Sequence, residues 1–597
     1  MILTVRSPVA VTLRRVSAHS SDFITPLLEA VAHQQAGRFE AAAAGFATVL
    51  DIEPEQPQAL FFGGVLAFKA GRTETARNLL QRSIAARPSH AESHFALGNT
   101  LWKAGDKQEA RTAWHQALRY DRQHLGALLN LARAQEEAGE TEAAVAFCRT
   151  AVAAKPDHAL THAALASALR ADDQLLASLQ AAKAALERDP LLAAAHYQHG
   201  TTLKVLGRRE DAIAALQMAL YFAPDDASSH LNLANLLFDA NEFEAAERHC
   251  RAAIAASPVM AEAHAMLGYL LTQANRLTEA IAACAEAVRL APDLAEGHWN
   301  KGIALLNSGD LPAGFAEYEW RKKHPRYMNE FRSLPTPEWR NGDLAGKRLL
   351  ILAEQGLGDA IMFARYAPLL RNRGAEITIA CDRRLVPLLR QIATVVSKSN
   401  QLPEHDLWVD QMSIPLHCGT TVDTVPSPEP YLAADPAITA QWAARLPAAP
   451  LGIRRIGVVW AGNPLHSNDA NRSCPIDVFA SLAALPSIRL VSLQVGNRAA
   501  EASQLGIHDW SSHLTDYAQT AGLLANLDLV VTVDTSVAHL AAAMGKPTWI
   551  LLPFCPEWRW LQNRSDSPWY RSVRVFRQQR PGDWAAVDDA LVEALLA

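Results

Sequence analysis

The N-terminal half of the chain shows apolar positions at helical spacing, arranged in units of 34 residues. A proline closes each unit, because its ring and its missing N–H prevent the helix from continuing. Only Arg122 departs from this series. The pattern predicts pairs of helices that repeat along the chain. The prolines in frame are Pro54, Pro88, Pro156, Pro190, Pro224, Pro258 and Pro292.

Small residues recur at two other positions of the same frame, where the two helices of a unit are expected to pass closest. A larger side chain at either position would push the helices apart. The spacing predicts about eight full units over residues 23–294 and a ninth that ends in "GFAEYEWRKK". The first position holds Ala30, Gly64, Gly98, Ala132, Ala166, Gly200, Ala234, Gly268 and Gly302. The second holds Ala42, Ala76, Ala110, Ala144, Ser178, Ala212, Ala246 and Ala280.

The C-terminal half changes to short apolar strands, each followed by a helical stretch. This alternation predicts parallel sheets covered on both faces. The proline cluster at residues 424–436 divides the half into two sheets, which favours two Rossmann-like domains facing a cleft. The predicted strands lie in "KRLLILAE", "AEITIACD", "IRRIGVVWAG", "IRLVSLQVG", "LDLVVTVD" and "PTWILLP".

These patterns predict an all-α repeat superhelix followed by an α/β module of two domains. An N-terminal extension, residues 1–22, precedes the repeats of residues 23–320. A linker follows over residues 321–346. The first Rossmann-like domain covers residues 347–436 and the second covers residues 437–597.

Composition narrows the class of protein. The chain is 49% hydrophobic and 20% charged, and its formal charge of −6 gives no reason to expect a nucleic-acid partner. Its seven cysteines are scattered without a CxxC, which argues against disulfides and a zinc site. We find neither a signal peptide nor an apolar window of about 20 residues that could span a membrane. A cytoplasmic location is therefore expected.

The first strand of the α/β half ends in "EQGLGD", residues 354–359. Gly356 and Gly358 would let the backbone turn sharply and approach a ligand where a Cβ would collide. Asp359 lies at the start of the following helix, facing the predicted cleft. The alternative for Asp359 is a capping role, because an aspartate there satisfies free backbone N–H groups.

A second turn, "VDTSVAH", follows the fifth predicted strand. The strand ends at Asp534, and Thr535 and Ser536 open a helix whose free N–H groups and dipole favour a phosphate. His539, one turn further on, could reach a diphosphate or a ribose hydroxyl. A capped helix that carries a polar histidine would give the same pattern.

A phosphate bound at this helix would need cations or polar groups nearby to balance its negative charge. Arg472 and Arg559 are candidates, with Asn463 and His466 in the loop after the third predicted strand. The alternative is that both arginines are ordinary surface residues. Trp558 and Trp560 could stack on a base or sugar, or pack at a domain interface. No DxD follows a strand where Mg²⁺ would be needed, so no metal and no other cofactor is expected.

The 34-residue units resemble tetratricopeptide repeats, which form a groove suited to a peptide. Histidines at one frame position would lie roughly 10 Å apart, too far to share a metal at bond lengths of about 2 Å, so they are expected to pack or to line the groove. Asn130, Asn232 and Asn300 occupy a position that can bind a peptide backbone, as in the asparagine ladder of the O-GlcNAc transferases. The repeat array could also dimerise. The histidines are His94, His162, His196, His230, His264 and His298.

Residues 331 to about 580 resemble GT-B glycosyltransferase modules related to the heptosyltransferases. The likeness rests on "AEQGLGDAIMFARY", "VVWAGNPLHSNDANRS", "VSLQVG", "VDTSVAHLAAAMGKP" and "LLPFCPEWRWLQNRSDSPWY". It implies Asp359 as general base, and a donor diphosphate bound by Asp534, Thr535, Ser536 and His539. Gln494, in the third of these motifs, joins the donor-binding candidates. Those enzymes usually have glycine where this chain has Ser536.

The two halves together resemble bacterial protein glycosyltransferases that carry repeats. The resemblance implies transfer of a sugar from a nucleotide-sugar donor, without a metal, to Ser or Thr of a protein held by the repeats. It points to flagellin as acceptor and to a CMP-linked nonulosonic acid of the pseudaminic type as donor, with UDP-GlcNAc left open. One alternative is an interaction scaffold whose GT-B-like module binds nucleotide but is inactive. Another is a heptosyltransferase of lipopolysaccharide synthesis.

Overall fold

The computed structural model describes residues 22–325, 327, 328, 331, 334–427, 430–448, 450, 452–466 and 468–596. The predicted N-terminal extension, apart from Asp22, lies outside this part of the chain. The chain divides into two compact units, Met1–Ala256 and Ser257–Ala597. No helix in the described part is long and apolar enough to cross a lipid bilayer.

The first unit consists of helix pairs, as the 34-residue period predicted. Successive helices are joined by short turns, and each pair buries small and apolar residues between its two members. The helices are α1 (Ile24–Gln35), α2 (Phe39–Ile52), α3 (Pro57–Lys69), α4 (Thr73–Ala86), α5 (Ala91–Ala104), α6 (Lys107–Tyr120), α7 (Leu125–Glu137), α8 (Thr141–Ala154), α9 (Ala159–Ala171), α10 (Leu175–Arg188), α11 (Ala193–Val205), α12 (Arg209–Phe222), α13 (Ala227–Asp239) and α14 (Phe243–Ala256).

The small residues of the frame lie where the paired helices touch. A Cβ added to Gly98 of α5 would come 2.4 Å from the indole of Trp114 in α6. That distance is far below the usual carbon–carbon contact of about 3.5–4.0 Å, so only glycine fits. This confirms the predicted reason for the small residues.

The repeated histidines stabilise the turn that enters each pair. Nε2 of His94 lies 2.8 Å from the carbonyl oxygen of Pro88, six residues earlier. A carbonyl only accepts hydrogen bonds, so Nε2 carries the proton and donates. The same bond recurs between His162 and Pro156, His196 and Pro190, His230 and Pro224, His264 and Pro258, and His298 and Pro292.

The second unit begins with two further helix pairs. They are α15 (Ala261–Gln273), α16 (Leu277–Leu290), α17 (Ala295–Ser308) and α18 (Leu311–Tyr318), and a 3₁₀ turn, Glu319–Lys322, follows. Phe315 and Tyr318 of α18 belong to the same buried cluster as the strands and helices of the first sheet. The last repeat is therefore part of the α/β core.

The first sheet contains four parallel strands in the order β3-β2-β1-β4. Its strands are β1 (Arg348–Leu352), β2 (Glu376–Cys381), β3 (Thr394–Ser397) and β4 (Leu407–Asp410). Its helices are α19 (Leu357–Phe363), α20 (Tyr366–Asn372), α21 (Val386–Leu389) and α22 (Ile414–His417).

The second sheet contains five parallel strands in the order β6-β5-β7-β8-β9. Val530 and Val531, adjacent in β7, belong to two different buried clusters, so both faces of this sheet are covered. The strands are β5 (Arg454–Val459), β6 (Ile488–Ser492), β7 (Leu529–Val533), β8 (Thr548–Leu552) and β9 (Val573–Arg577). The helices are α23 (Pro436–Arg445), α24 (Asp469–Arg472), α25 (Ala480–Ala483), α26 (Tyr517–Ala525), α27 (Ser536–Ala543) and α28 (Ala585–Leu596).

The structure contains the six predicted strands and adds β3, β4 and β9. The segment expected to be a linker is not loose where it is described. Arg321, Trp339 and Leu344 are buried, and the backbone N–H of Trp339 donates to the carbonyl of Trp408 in β4 at 2.7 Å. Trp339 and Leu344 are apolar and join the buried cluster of the first sheet, and Arg321 can be buried because it pairs with Glu354.

Candidate functional site

Each sheet has one place where the chain reverses its direction of strand addition. In the first sheet this is between β1 and β4, and in the second it is between β5 and β7. Ligands in open parallel sheets bind beyond the carboxyl ends of the strands at such points. Asp359 lies in the first turn of α19, the helix after β1, Arg472 ends α24, the short helix after β5, and β7 ends just before Asp534. The sequence candidates therefore lie where a ligand is expected.

An ion pair joins the two sheets at this place. Nε of Arg559 donates to Oδ1 of Asp359 at 2.8 Å, and Nη2 of Arg559 contacts the same oxygen. The side chains of Arg559 and Asp359 are only 10% and 12% exposed. Burial opposes the charge of Arg559, but Asp359 and Glu557 outweigh it and raise the pKa of Arg559. The guanidinium is therefore always charged.

Asp359 also caps its own helix. Its Oδ2 accepts the backbone N–H of Gly356 at 3.0 Å, so the capping alternative and the site position apply together. The carboxylate thus has one oxygen on the helix terminus and the other on Arg559. A ligand group that drew Arg559 away would free Oδ1 to accept a proton.

Backbone strain lies on both sides of this ion pair. Gln355, just before the glycine turn, has φ +58°, and Leu561, two residues after Arg559, has φ +45°. Non-glycine residues in this region cost of order 1–3 kcal/mol and persist where the surroundings hold them. Carbonyl oxygens of Trp560 and Leu561 accept from Nη2 of Arg577 at 2.7 and 2.5 Å, which fixes the second segment. Strain of this kind is typical of functional sites.

Asp534 follows directly after β7 and is buried. Burial and the charge of Glu557 raise the pKa of Asp534, whereas Arg472 and Arg559 oppose that rise. Thr535 is the N-cap residue of α27 and its side chain makes no capping bond. Its hydroxyl lies 3.1 Å from that of Thr532. The first turn of α27 therefore keeps backbone N–H groups that an anion can use.

Ser536 and His539 face inward from α27. The hydroxyl of Ser536 is hydrogen-bonded to that of Tyr517. His539 is buried, its Nδ1 lies 3.0 Å from Oη of Tyr570, and its ring stacks on Trp560 at 5.1 Å. Burial and nearby arginines lower the pKa of His539 far below its usual value, so the ring is neutral. The structure gives His539 a packing role where the sequence suggested contact with a diphosphate.

Gly358 packs against the same histidine. A Cβ at this position would lie 2.8 Å from Cδ2 of His539, because α19 packs directly on α27. The close neighbour that excludes a side chain is thus a protein helix, where the sequence suggested a ligand. Gly356 is exposed, and the nearest atom to a Cβ there would be Oδ2 of Asp359, at 3.0 Å.

The loop after β5 presents Asn463 and His466 on the surface and Arg472 beside the sheet. Nε of Arg472 donates to Oδ1 of Asp469 at 3.1 Å. A Cβ at Gly462 would lie 2.4 Å from both side chains of this pair, so this glycine lets the pair rest on the strand end.

The side-chain amide of Gln494 links the end of β5 to the end of β6 by hydrogen bonds. Its Oε1 accepts the backbone N–H groups of Trp460 and Ala461 at 3.1 and 2.9 Å, and its Nε2 donates to the carbonyls of Ala461 and Val495 at 3.1 and 3.0 Å. Because both ends of the buried amide are occupied, Gln494 joins β5 to β6. The amide therefore has no unbonded N–H or lone pair left in this structure for the donor-binding role that the sequence suggested.

The three candidate groove asparagines contact their own chain. Nδ2 of Asn130 donates to Oδ1 of Asn99 at 2.7 Å, and Oδ1 of Asn232 accepts from Lys204 at 3.1 Å. In the second unit Asn300 is buried, and its Nδ2 donates to the carbonyl of Ala265 at 3.1 Å. Asn300 therefore bridges adjacent repeats, which removes it from the surface of a groove.

Sequence reasoning missed the residues that support the site. Arg321 is buried and forms a forked pair with Glu354, at 2.8 and 2.6 Å. Arg365 is buried against Tyr570, with its guanidinium 4.3 Å from the ring centre, and donates to the carbonyl of Met362 at 2.7 Å. The charged residues in "EYEWRKK" and the polar Glu354 directly after a strand were the available signals. Within the described residues, no group of three or more His, Cys, Asp or Glu side chains is placed to hold a metal.

Comparisons with known proteins agree with this architecture. A family model for the tetratricopeptide repeat matches residues 27–93, 95–159 and 231–295. A model for glycosyltransferase family 9 (heptosyltransferase) matches residues 513–553, which contain β7 and α27. Protein FlbA of Caulobacter vibrioides is 27% identical over 325 residues, which are 49% of this chain and 53% of FlbA. The chain thus spans about half the length of this curated relative.

The chain also matches solved structures at low structural similarity. The APC/C hetero-tetramer Cut9–Hcn1 is matched with 17% identity and a TM-score of 0.38, over 47% of this chain and 55% of that chain. A tetratricopeptide repeat protein from Parabacteroides merdae is matched with 17% identity and a TM-score of 0.37, over 42% of this chain and 98% of that chain.

Proposed function

We propose that this protein transfers a sugar from a nucleotide-sugar donor to a Ser or Thr hydroxyl of a protein held by its repeats. The acceptor we propose is flagellin, and the donor is a CMP-linked nonulosonic acid of the pseudaminic type. Both follow from the resemblance to bacterial flagellin glycosyltransferases. The transfer would take place in the cytoplasm.

The Asp359–Arg559 ion pair is the observation that carries this proposal. It places a carboxylate and a permanently charged guanidinium at the strand ends where the two sheets meet. Sugar transfer needs one group to take up a proton and another to stabilise a leaving phosphate. The pair supplies one of each, on opposite sheets.

The proposed step breaks the bond between the anomeric carbon and the donor phosphate, and the electron pair leaves with the phosphate. The acceptor oxygen forms the new bond to the anomeric carbon and loses its proton to Asp359. Arg559 would turn from Asp359 to the phosphate, which frees Oδ1 for that proton. Arg472 and the N–H groups at the start of α27 would bind the remaining phosphate charge.

The repeats supply the reason for a protein acceptor. Within the second unit, the turn after α15 contacts the loop that carries Arg559: Nδ2 of Asn275 donates to the carbonyl of Phe554 at 2.7 Å, and Nε2 of Gln562 donates to Oδ1 of Asn275 at 2.5 Å. A segment bound along the last repeats would lie next to this loop. A lipopolysaccharide heptosyltransferase would have no use for such repeats.

One observation favours a second candidate, a scaffold that binds nucleotide without turnover. Each oxygen of Asp359 already accepts a hydrogen bond within the protein. Oδ1 of Asp359 would take up a proton only if Arg559 moved away from it. The two candidates differ in whether transfer occurs.

The test is the intact mass of purified flagellin after incubation with the full-length protein and a CMP-activated nonulosonic acid. We expect the wild type to add the sugar mass and Asp359→Asn to lose at least 100-fold of the rate, the lower end of what general-base catalysis contributes, about 10²–10⁴-fold. Asp382→Asn is the matched control, because Asp382 also follows a strand and pairs with an arginine, Arg384, at 2.9 Å.

Three outcomes separate the candidates. Loss of sugar transfer in Asp359→Asn, with normal transfer in Asp382→Asn, supports Asp359 as the general base. Full activity of Asp359→Asn would remove that assignment. Nucleotide binding by the wild type without any transfer, across CMP- and UDP-linked sugars, would favour the scaffold.

A further inference from the structure

Residues next to both members of the Asp359–Arg559 pair contact the last helix of the repeats or the turn that follows it. On one side, the two residues that precede the glycine turn of Asp359 are held by α18 and by the 3₁₀ turn after it. On the other side, the indole of Trp558, next to Arg559, packs edge-on against Phe315 of α18 at 5.5 Å. The guanidinium of Arg559 lies 4.5 Å above the same indole.

Tyr318, the last residue of α18, makes the most specific of these contacts. Its Oη lies 2.9 Å from Nε2 and 3.1 Å from Oε1 of Gln355. Gln355 is the residue with φ +58° that turns the chain from β1 into α19. A side-chain hydrogen bond at a strained residue helps to hold the strained conformation, because a relaxed backbone would break it. Burial raises the pKa of Tyr318, so its hydroxyl stays protonated.

Arg321 holds the neighbouring residue. Its guanidinium forms the forked pair with Glu354 and also donates to Oγ of Ser413 at 2.9 Å. Oε1 of Glu354 in turn accepts the backbone N–H of Met412 at 2.9 Å. The segment that enters the turn is thus fixed on two sides, by the repeat and by the loop after β4.

We propose that α18, the last helix of the repeats, forms part of the transfer site. Tyr318 is a positioning residue that fixes the conformation of the turn from Gln355 to Asp359. This inference rests on the proposed function for its catalytic meaning. The α/β module alone would then hold Asp359 and Arg559 imprecisely. A protein acceptor that binds the last repeats would act on the same helix that positions the catalytic pair.

Tyr318→Phe tests this in the full-length chain. Phenylalanine keeps the ring, which packs on Trp299 at 4.7 Å, and removes only the hydroxyl. Tyr366→Phe is the matched control, because Tyr366 is also buried and its hydroxyl is bound to one side chain, Thr420, at 2.8 Å. Tyr366 makes no contact with the turn among the hydrogen bonds of the described residues.

Hydrogen–deuterium exchange of residues 354–363 is the first readout, because it does not depend on activity. Loss of one buried hydrogen bond should speed local opening by about three- to tenfold. We expect this acceleration in Tyr318→Phe and not in Tyr366→Phe. Equal exchange in wild type and Tyr318→Phe would overturn the inference.

Transfer kinetics are the second readout. Tyr318→Phe should lower kcat by about tenfold, with KM for donor and acceptor within about twofold of wild type, because only the geometry of the reacting pair changes. An unchanged kcat would also overturn the inference. If the wild type transfers no sugar at all, the proposed function fails, and the exchange experiment still decides whether Tyr318 positions the turn.

Discussion

Replacement of Gly358 by alanine is expected to weaken the packing of α19 on α27. The new Cβ would lie 2.8 Å from Cδ2 of His539 and 3.4 Å from Cα of Ser536. Carbon atoms in contact lie about 3.5–4.0 Å apart, so the imidazole would have to retreat by about 0.7 Å. It cannot turn aside freely, because its Nδ1 is bound to Tyr570 and its ring stacks on Trp560.

The size of the effect follows from two opposing contributions. Overpacking a core costs about 1–3 kcal/mol. Replacing glycine by alanine inside a helix returns about 0.5–1 kcal/mol. A net loss of up to about 2.5 kcal/mol is therefore expected for Gly358→Ala. Gly342→Ala is the control, because a Cβ there would have no neighbour within 4 Å.

Scanning calorimetry of the ligand-free protein measures this effect. The transition of the second unit should move down by about 1–5 °C in Gly358→Ala and stay unchanged or rise slightly in Gly342→Ala. The double variant Gly358→Ala/His539→Ala should lose less stability than the sum of the two single losses, because the new Cβ no longer meets the imidazole. Normal stability in Gly358→Ala together with lost nucleotide binding would refute the reasoning and restore the ligand-contact interpretation.

Two further predictions concern the buried charges behind the turn. Arg321→Met should destabilise the second unit by about 3–5 kcal/mol in calorimetry, because Glu354 stays buried without its partner. Arg340→Met, the control, removes an exposed charge and should cost about 0–1 kcal/mol. Equal losses of stability in the two variants would contradict the burial argument. Burial and the charge of Glu354 raise the pKa of Asp410 to about 6, against the partial opposition of Lys322. The folded protein therefore holds a proton that the unfolded chain releases near pH 4, so this group costs stability as pH rises from about 4 to about 6. Relative to wild type, Asp410→Asn should become progressively more stable across that window, and a constant difference in the midpoint of unfolding would count against the assignment.

The repeats and the strands that carry the candidate site could be predicted from sequence because their signals are local. The 34-residue period places the helix pairs, and the long apolar runs place β1, β2 and β5–β8. The strands β3 and β4 have only four residues each, and β9 has two arginines among its five residues, so none of them is a long apolar run. Their pairing depends on neighbours far along the chain, which no local pattern records.

The candidate site was likewise predictable from sequence only in part. Asp359 and Arg559 could each be proposed from their motifs, but their pairing across 200 residues requires the packed structure. Gly358 and Gln494 were expected to serve a ligand, because a glycine needed for helix packing and an amide needed for strand bracing have the same local pattern. Tyr318 was missed because it belongs to the repeats, where sequence gives no reason to expect a contact with the turn.

The most direct test of a nucleotide-sugar site at the strand ends is calorimetric titration of the full-length protein with CMP, CDP, UDP, ADP and GDP. The variants are Arg472→Met and, as matched control, Arg498→Met, because Arg498 likewise pairs with a carboxylate three residues away, Glu501, at 2.7 Å. We predict that one nucleotide binds wild type and Arg498→Met equally, and binds Arg472→Met about 10- to 100-fold more weakly, as expected for a lost hydrogen bond to a charged group. Absence of binding to all five nucleotides, or equal binding by all three proteins, would contradict the account.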